Sequence, residues 1–149
     1  MEKTYFEYLK KRSFLAKIYR NYYLYPKIQK FCSKNFLDLG CGIGDFLSFM
    51  KSGKGIDINA YCVSYCKNLG LEVDLMENNK IKFSNDTFDS ILLDNVLEHI
   101  EDPNLLLTEI RRVIKKNSNL IIGVPGSKGY KADADHKVFY SKEKLKNLI

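Results

Sequence analysis

At 149 residues, with 45% hydrophobic and 28% charged side chains, the chain has the composition of one folded domain with its own core, not of a disordered or fibrous protein. The net charge of +6 is modest, no apolar run approaches the roughly 20 residues that span a bilayer, and Met1-Glu2-Lys3-Thr4 opens no signal-peptide core, so a cytoplasmic protein is expected. Cys32, Cys41, Cys62 and Cys66 lack C-x-x-C spacing and two histidines are too few to complete a zinc site, so reduced structural thiols and no metal are expected.

Phe6, Leu9, Phe14, Leu15, Ile18, Tyr19 and Tyr22 recur at helical spacing and predict a leading helix of about 20 residues, ended or kinked at Pro26. The basic residues on it (Lys10, Lys11, Arg12, Lys17, Arg20) and near the C-terminus (Lys142, Lys144, Lys146) read as a solvated face, with an anionic substrate or a membrane surface as the alternative. A second short helical piece is expected over 27–32. Strands follow near 35–39, 53–57, 71–75, 88–94 and 119–124, and helices near 44–51, 60–68, 103–115 and 141–148, with a turn at Asn117-Ser118. Alternating strands and helices call for a parallel α/β sheet covered on both faces, with ligands bound beyond the carboxyl ends of the strands. The chain divides into a helical extension (1–33), a core (34–126), and a substrate-side loop with a terminal helix (127–149).

The densest chemistry lies in Asp38-Leu39-Gly40-Cys41-Gly42-Ile43-Gly44-Asp45, where an apolar strand runs into three glycines on alternate positions. Such glycines let the backbone turn sharply and let a ligand lie directly on it. The dinucleotide fingerprint needs Gly or Ala three positions after its second glycine; Asp45 stands there and would face a pyrophosphate badly. No Gly-Lys-Ser/Thr follows, which excludes the phosphate loop of nucleotide hydrolases. Carboxylates in and beside the loop suit a cationic ligand without phosphate, and S-adenosylmethionine, with its sulfonium and ammonium groups, is one. Asp57 ends the second strand, where a carboxylate accepts both ribose hydroxyls; the alternative is a helix N-cap before Ala60.

The run Asp38 to Gly44, Asp57, Phe88-Asp89-Ser90-Ile91, and Asp94-Asn95-Val96-Leu97-Glu98-His99-Ile100 with Asp102-Pro103 together resemble class I S-adenosylmethionine-dependent methyltransferases, in order over about residues 35 to 126. The flanks, Arg12-Ser13-Phe14-Leu15 with Tyr19-Arg20-Asn21-Tyr22 and Asp133 to Tyr140, resemble a bacterial branch associated with surface-glycan biosynthesis. The resemblance implies a Rossmann-like doubly wound sheet of about five strands in the order 3-2-1-4-5, preceded by the helical extension. It implies that Gly40, Cys41, Gly42 and Gly44, with Asp38, line the methionine end of S-adenosylmethionine, that Asp57 holds the ribose, and that Ile58 presses on the adenine. Glu77, beside Met76, falls where the family usually has an Asp near the adenine amine; Asp94 and Asn95 fall near the sulfonium and the substrate entrance. The two last strands of the full fold are missing. The sequence is therefore a truncated form, or its fifth-strand edge is covered by a partner or by a second copy in a homodimer.

Methyl transfer from a sulfonium is an in-line displacement that needs positioning and exclusion of water more than a fixed catalytic set. For O-methylation of a small-molecule or glycan hydroxyl a base would help, and His136, beside Asp133 and Asp135, is the candidate, with Asp133 or Asp135 to orient it. Glu98 and His99 are expected to cap or pack. Tyr19, Tyr22, Tyr23 and Tyr25 suit either a lid over the acceptor or a helix packed on the sheet. No nucleic-acid motif accompanies the basic residues. Two rival functions stay open: a non-catalytic S-adenosylmethionine-binding subunit or remnant, and an NAD-dependent oxidoreductase.

Overall fold

The structure, a computed structural model, describes residues 2–77 and 80–148; Met1, Asn78, Asn79 and Ile149, all inside the expected domain, lie outside the described residues. Five strands, β1 (Phe36–Leu39), β2 (Lys54–Asp57), β3 (Val73–Leu75), β4 (Phe88–Asp94) and β5 (Ile114–Gly123), form one parallel sheet in the order β3-β2-β1-β4-β5. The expected architecture and strand order are therefore those observed. Phe36, Leu37, Leu39, Phe88, Ile91 and Leu93 are fully buried, the continuous apolar pattern of strands covered on both faces.

Two apolar clusters occupy those faces. On one, α6 (Asn104–Val113) buries Leu106, Leu107, Ile110 and Val113 against Leu37, Leu39, Ile91 and Leu93, and α8 (Lys142–Leu148) adds Leu145. On the other, Phe46 and Leu47 of α4 (Asp45–Met50) and Val63 and Cys66 of α5 (Ala60–Asn68) pack on Phe36, Val73 and Leu92. Arg112 fastens the segment before β4, donating to the carbonyls of Ile81 and Phe83 at 2.7 Å each and pairing with Glu109 at 2.8 Å.

The N-terminal extension departs from one long helix. It consists of α1 (Glu2–Lys10), α2 (Phe14–Tyr19), a π-helical turn (Arg20–Leu24) and α3 (Tyr25–Gln29). Ser13 breaks the run because its hydroxyl accepts the Ala16 amide at 3.2 Å and starts a new helix. Pro26 neither ends nor kinks the chain as expected. The Tyr25 amide reaches back five residues to the Arg20 carbonyl, and Pro26 enters in the first turn of α3, where a missing N–H is tolerated. The apolar stripe also divides: Leu9 is buried, whereas Phe14, Leu15 and Tyr22 are exposed.

The C-terminal half corrects two further boundaries. α6 ends at Val113 and β5 begins at once, so the expected helix to 115 is too long. The expected turn at Asn117-Ser118 lies inside β5 as an irregularity, with Asn117 at φ 61° and the pairing jumping from Phe88–Ile114 to Ser90–Asn119. Among the described residues β5 pairs only with β4. A short helix, α7 (Ser127–Lys131), occupies the loop after β5.

Gly53 and Gly70 offer a paired test of how tightly β1 is seated. Both have left-handed backbones (φ 84° and 76°), but a Cβ at Gly53 collides with the Phe36 ring while one at Gly70 meets nothing within 4 Å. Gly70→Ala is expected to cost about 1 kcal/mol and Gly53→Ala about 3 kcal/mol, read by urea unfolding. Equal costs would show that Phe36 yields freely.

Candidate functional site

The site begins where β1 turns into α4. Gly40, Gly42 and Gly44 all adopt left-handed backbones, at φ 78°, 54° and 74°. The loop has no room for side chains: a Cβ at Gly40 would stand 2.5 Å from Val96 Cγ2, and one at Gly44 would stand 2.5 Å from Leu71 Cδ1 and 2.9 Å from Cys66 Sγ. The amides of Gly40 and Cys41 donate to the Ile56 carbonyl at 2.8 and 3.2 Å, which sews the loop to β2. Cys41, Cys62 and Cys66 are buried free thiols packed around this loop, and Cys66 Sγ lies 3.4 Å from the Gly42 carbonyl. Burial pushes the Cys62 thiol up to about 12, which makes it an unreactive packing residue.

Asp57 ties three elements together. Its Oδ2 accepts the Gly42 amide at 2.7 Å and its Oδ1 the Asn59 amide at 2.8 Å. The helix N-cap considered for Asp57 belongs to Asn59, whose Oδ1 accepts the amides of Tyr61 and Cys62 at 3.0 and 3.3 Å. Burial raises the Asp57 carboxyl above its ordinary range, while its amide donors pull it back. Each oxygen keeps a further lone pair for a ligand. Beside it Ile58 is 66% exposed, an apolar side chain left open to a flat partner.

A cleft open to solvent borders the loop. It brings together Asp38, Gly40, Cys41, Gly42, Asp94 and Asn95 of the expected residues, with Asp45. The backbone of Asn95 is left-handed (φ 58°), a conformation Asn tolerates, and its amide donates to the Gly123 carbonyl at 2.9 Å. A Cβ at Gly123 would overlap the Asp94 carboxylate, so the glycine closing β5 leaves room for that acid.

The opposite wall comes from the N-terminal helices, which sequence reasoning assigned to a solvated face. Arg12 Nη1 lies 2.6 Å from Asp45 Oδ2, and Arg20 Nη1 lies 3.4 Å from Asp94 Oδ2 and 3.5 Å from Tyr25 Oη. Tyr5, Leu9 and Tyr25 complete the lining, and burial pushes the Tyr5 and Tyr25 hydroxyls up to about 12. Asp45, taken from sequence as an acid facing the ligand, thus carries a cation of its own. The acid without a cation is Asp38: it is 5% exposed, and burial, with Asp94, Asp57 and Asp45 nearby, pushes its carboxyl up to about 8. The one sequence signal for these arginines was the acid in the third-glycine position, which calls for a partner.

Other expected residues lie elsewhere. Glu77 is bridged to Lys80 beyond β3 and does not line the cleft. His136 is also outside the cleft: its Nδ1 lies 2.9 Å from the Tyr130 carbonyl, and its Nε2 faces Glu98 Oε1 at 3.9 Å and Asp133 Oδ2 at 3.8 Å. Asp135 does not orient His136; its side chain is exposed and its carbonyl lies 3.3 Å from Nδ1 of His99. Glu98 and His99 sit in a 3-10 turn (Leu97–His99), and the Glu98 carboxylate caps nothing.

Comparison with known proteins places this geometry. A family model described as a methyltransferase domain matches residues 8–148. A solved S-adenosylmethionine-dependent methyltransferase of Thermotoga maritima, described as a possible histamine N-methyltransferase, superposes with a TM-score of 0.83 at 21% identity, covering 99% of this chain and 76% of that one. One from Aquifex aeolicus gives a TM-score of 0.64 at 26% identity, covering 80% and 70%. An uncharacterized protein of Methanocaldococcus jannaschii is 32% identical over 123 residues, 75% of this chain and 51% of its own length. A second from that organism is 30% identical over 88 residues, 59% and 43%. The chain spans about half or less of these curated relatives.

Asp38 sets a pH dependence with a definite sign. Because its carboxyl titrates near about 8 in the fold and near 3.8 otherwise, the unfolded chain loses that proton first, and stability falls as pH rises between those values. In Asp38→Asn that contribution is gone, so the fall in Tm from about pH 5 to about pH 8 is expected to be smaller than in the parent. An unchanged fall, measured by calorimetry, would show that Asp38 is ionised in the fold.

Proposed function

The chain belongs to the methyltransferase-domain family, and on that premise we propose that it moves a methyl group from S-adenosylmethionine to a hydroxyl of a small-molecule or glycan acceptor. The residues fit the cofactor. The turn of Gly40, Gly42 and Gly44 offers left-handed bare backbone, Asp57 beside it keeps lone pairs for ribose hydroxyls, and Asp38 is a buried acid without a cation of its own. Ile58 covers the adenine, and Arg12 and Arg20 on the cleft wall supply positive charge toward the amino-acid carboxylate. When bound, S-adenosylmethionine supplies a methyl group already activated by its sulfonium.

The protein's part is then positional. Asp94 and Asn95, at the carboxyl end of β4, border the approach of the acceptor, and α1 with the π turn forms the facing wall of the cleft. The exposed rings of Tyr19, Tyr22 and Tyr23, carried by the same segment as Arg20, support an acceptor with sugar-like faces.

The observation that carries this reading is the Asp57-pinned glycine cradle next to the unpaired Asp38. Titration calorimetry with S-adenosylhomocysteine is expected to show one site, weakened at least about tenfold in Asp57→Ala, and NAD is expected to give no heat. No heat with S-adenosylhomocysteine would overturn the reading, and heat with NAD would favour an oxidoreductase. Binding without radiolabelled methyl transfer to any sugar or small hydroxyl acceptor would favour a non-catalytic subunit.

A further inference from the structure

Outside the cleft, one group of side chains is arranged with no partner to account for it. Glu98 is 1% exposed, both carboxylate oxygens are out of solvent, and no other residue donates a hydrogen bond to either. A buried carboxylate in that position is costly unless a proton or a cation meets it. What faces it is His136. The amides of Lys137 and Val138 donate to the Glu98 carbonyl at 2.8 and 3.1 Å, which clamps the segment carrying His136 onto the 3-10 turn.

Both histidine rings meet a backbone carbonyl through Nδ1. His136 Nδ1 lies 2.9 Å from the Tyr130 carbonyl, and the Tyr130 ring stacks on the imidazole at 5.5 Å with a 16° tilt. His99 Nδ1 lies 3.3 Å from the Asp135 carbonyl. A backbone carbonyl can only accept, so each Nδ1 carries the hydrogen and each Nε2 is left with a bare lone pair. A ring N–H anchored to a carbonyl is the support that metal-ligating histidines characteristically have. At 3.9 Å from Glu98 Oε1 and 3.8 Å from Asp133 Oδ2, the His136 Nε2 is too distant for a hydrogen bond. Two ligands on one tetrahedral metal stand roughly 3.3–3.6 Å apart, so a contraction of about half an ångström brings these into range.

We propose that Glu98, His99 and His136 bind one divalent transition-metal ion of the zinc type, with Asp133 within reach as a fourth donor. One donor atom from each of the three lies within 4.8 Å of the others. Two imidazoles and a carboxylate are the donor set of zinc and similar borderline cations rather than of calcium or magnesium. Two histidines are too few for a zinc site by sequence spacing, but the 3-10 turn after β4 and the loop after α7 bring Glu98 and His99 against His136. Asp94 and Asn95 of the cleft wall precede Glu98 closely in the chain, at the end of β4 and just after it. With Asp133 unbound, the three protein ligands leave one position for water. This assignment does not rest on the methyl-transfer reading, because metal binding alone reports on it.

The test uses the full chain, stripped with chelator and then titrated with zinc chloride. One ion per chain is expected, with a rise in Tm. Glu98→Gln and His136→Ala should each weaken binding by at least about tenfold and abolish the Tm rise, while far-ultraviolet circular dichroism reports their folding. If His136→Ala does not fold, Glu98→Gln, which removes only charge, and His99→Ala carry the test. Cobalt substitution should give visible bands of a nitrogen and oxygen site. Failure to bind zinc, undiminished binding in the folded variants, or a thiolate charge-transfer band placing the ion on cysteine would each overturn the proposal.

Discussion

The carboxylate of Asp57 accepts one amide from the loop after β1 and one from the entry to α5, so a single buried charge fixes β2, the glycine turn and a helix start relative to one another. The glycines of the turn have no side chains to pack; Cys41 and Ile43 between them are buried, and backbone bonds to Ile56 and Asp57 fix the turn's path. The left-handed glycines let the chain pass beneath Val96, Leu71 and Cys66 and still present bare backbone to a ligand. With the turn so placed, β1 delivers Asp38 and β4 delivers Asp94 to one cleft.

Electrostatics in that cleft are a balance between the sheet and the N-terminal helices. Asp38, Asp45 and Asp94 converge from β1, α4 and β4, and Arg12 and Arg20 return from the extension to meet the last two. The partly exposed ion pairs contribute little stability by themselves. Their consequence is positional: they dock the extension as the cleft's outer wall and leave Asp38 as the acid without a cation. A cationic ligand meeting Asp38 would draw its proton off, so the same residue that destabilises the chain at high pH is the one best placed to reward binding.

Much of this was legible in the sequence because it depends on local rules. Glycines on alternate positions after an apolar strand, and the alternation of strand and helix, both reflect short-range geometry, and the sheet order matches the resemblance. The rest depended on contacts between distant residues. Arg12 and Asp45 are 33 positions apart and Arg20 and Asp94 are 74 apart, so no periodicity predicts either pair. The breaks at Ser13 and before Pro26 were missed because one cap and one π turn override a continuous apolar spacing. Of the two acids the sequence offers His136, Asp133 faces it and Asp135 does not; Glu98 faces it as well, a meeting only the tertiary fold arranges.

The central claim is that the glycine cradle pinned by Asp57 is the surface on which the cofactor lies. Backbone amide resonances recorded during titration with S-adenosylhomocysteine test it most directly. The account predicts that the amides of Gly40, Gly42, Gly44 and Asn59 shift together, saturate at one equivalent, and barely respond in Asp57→Ala. Saturable binding that leaves those four amides unmoved would contradict it.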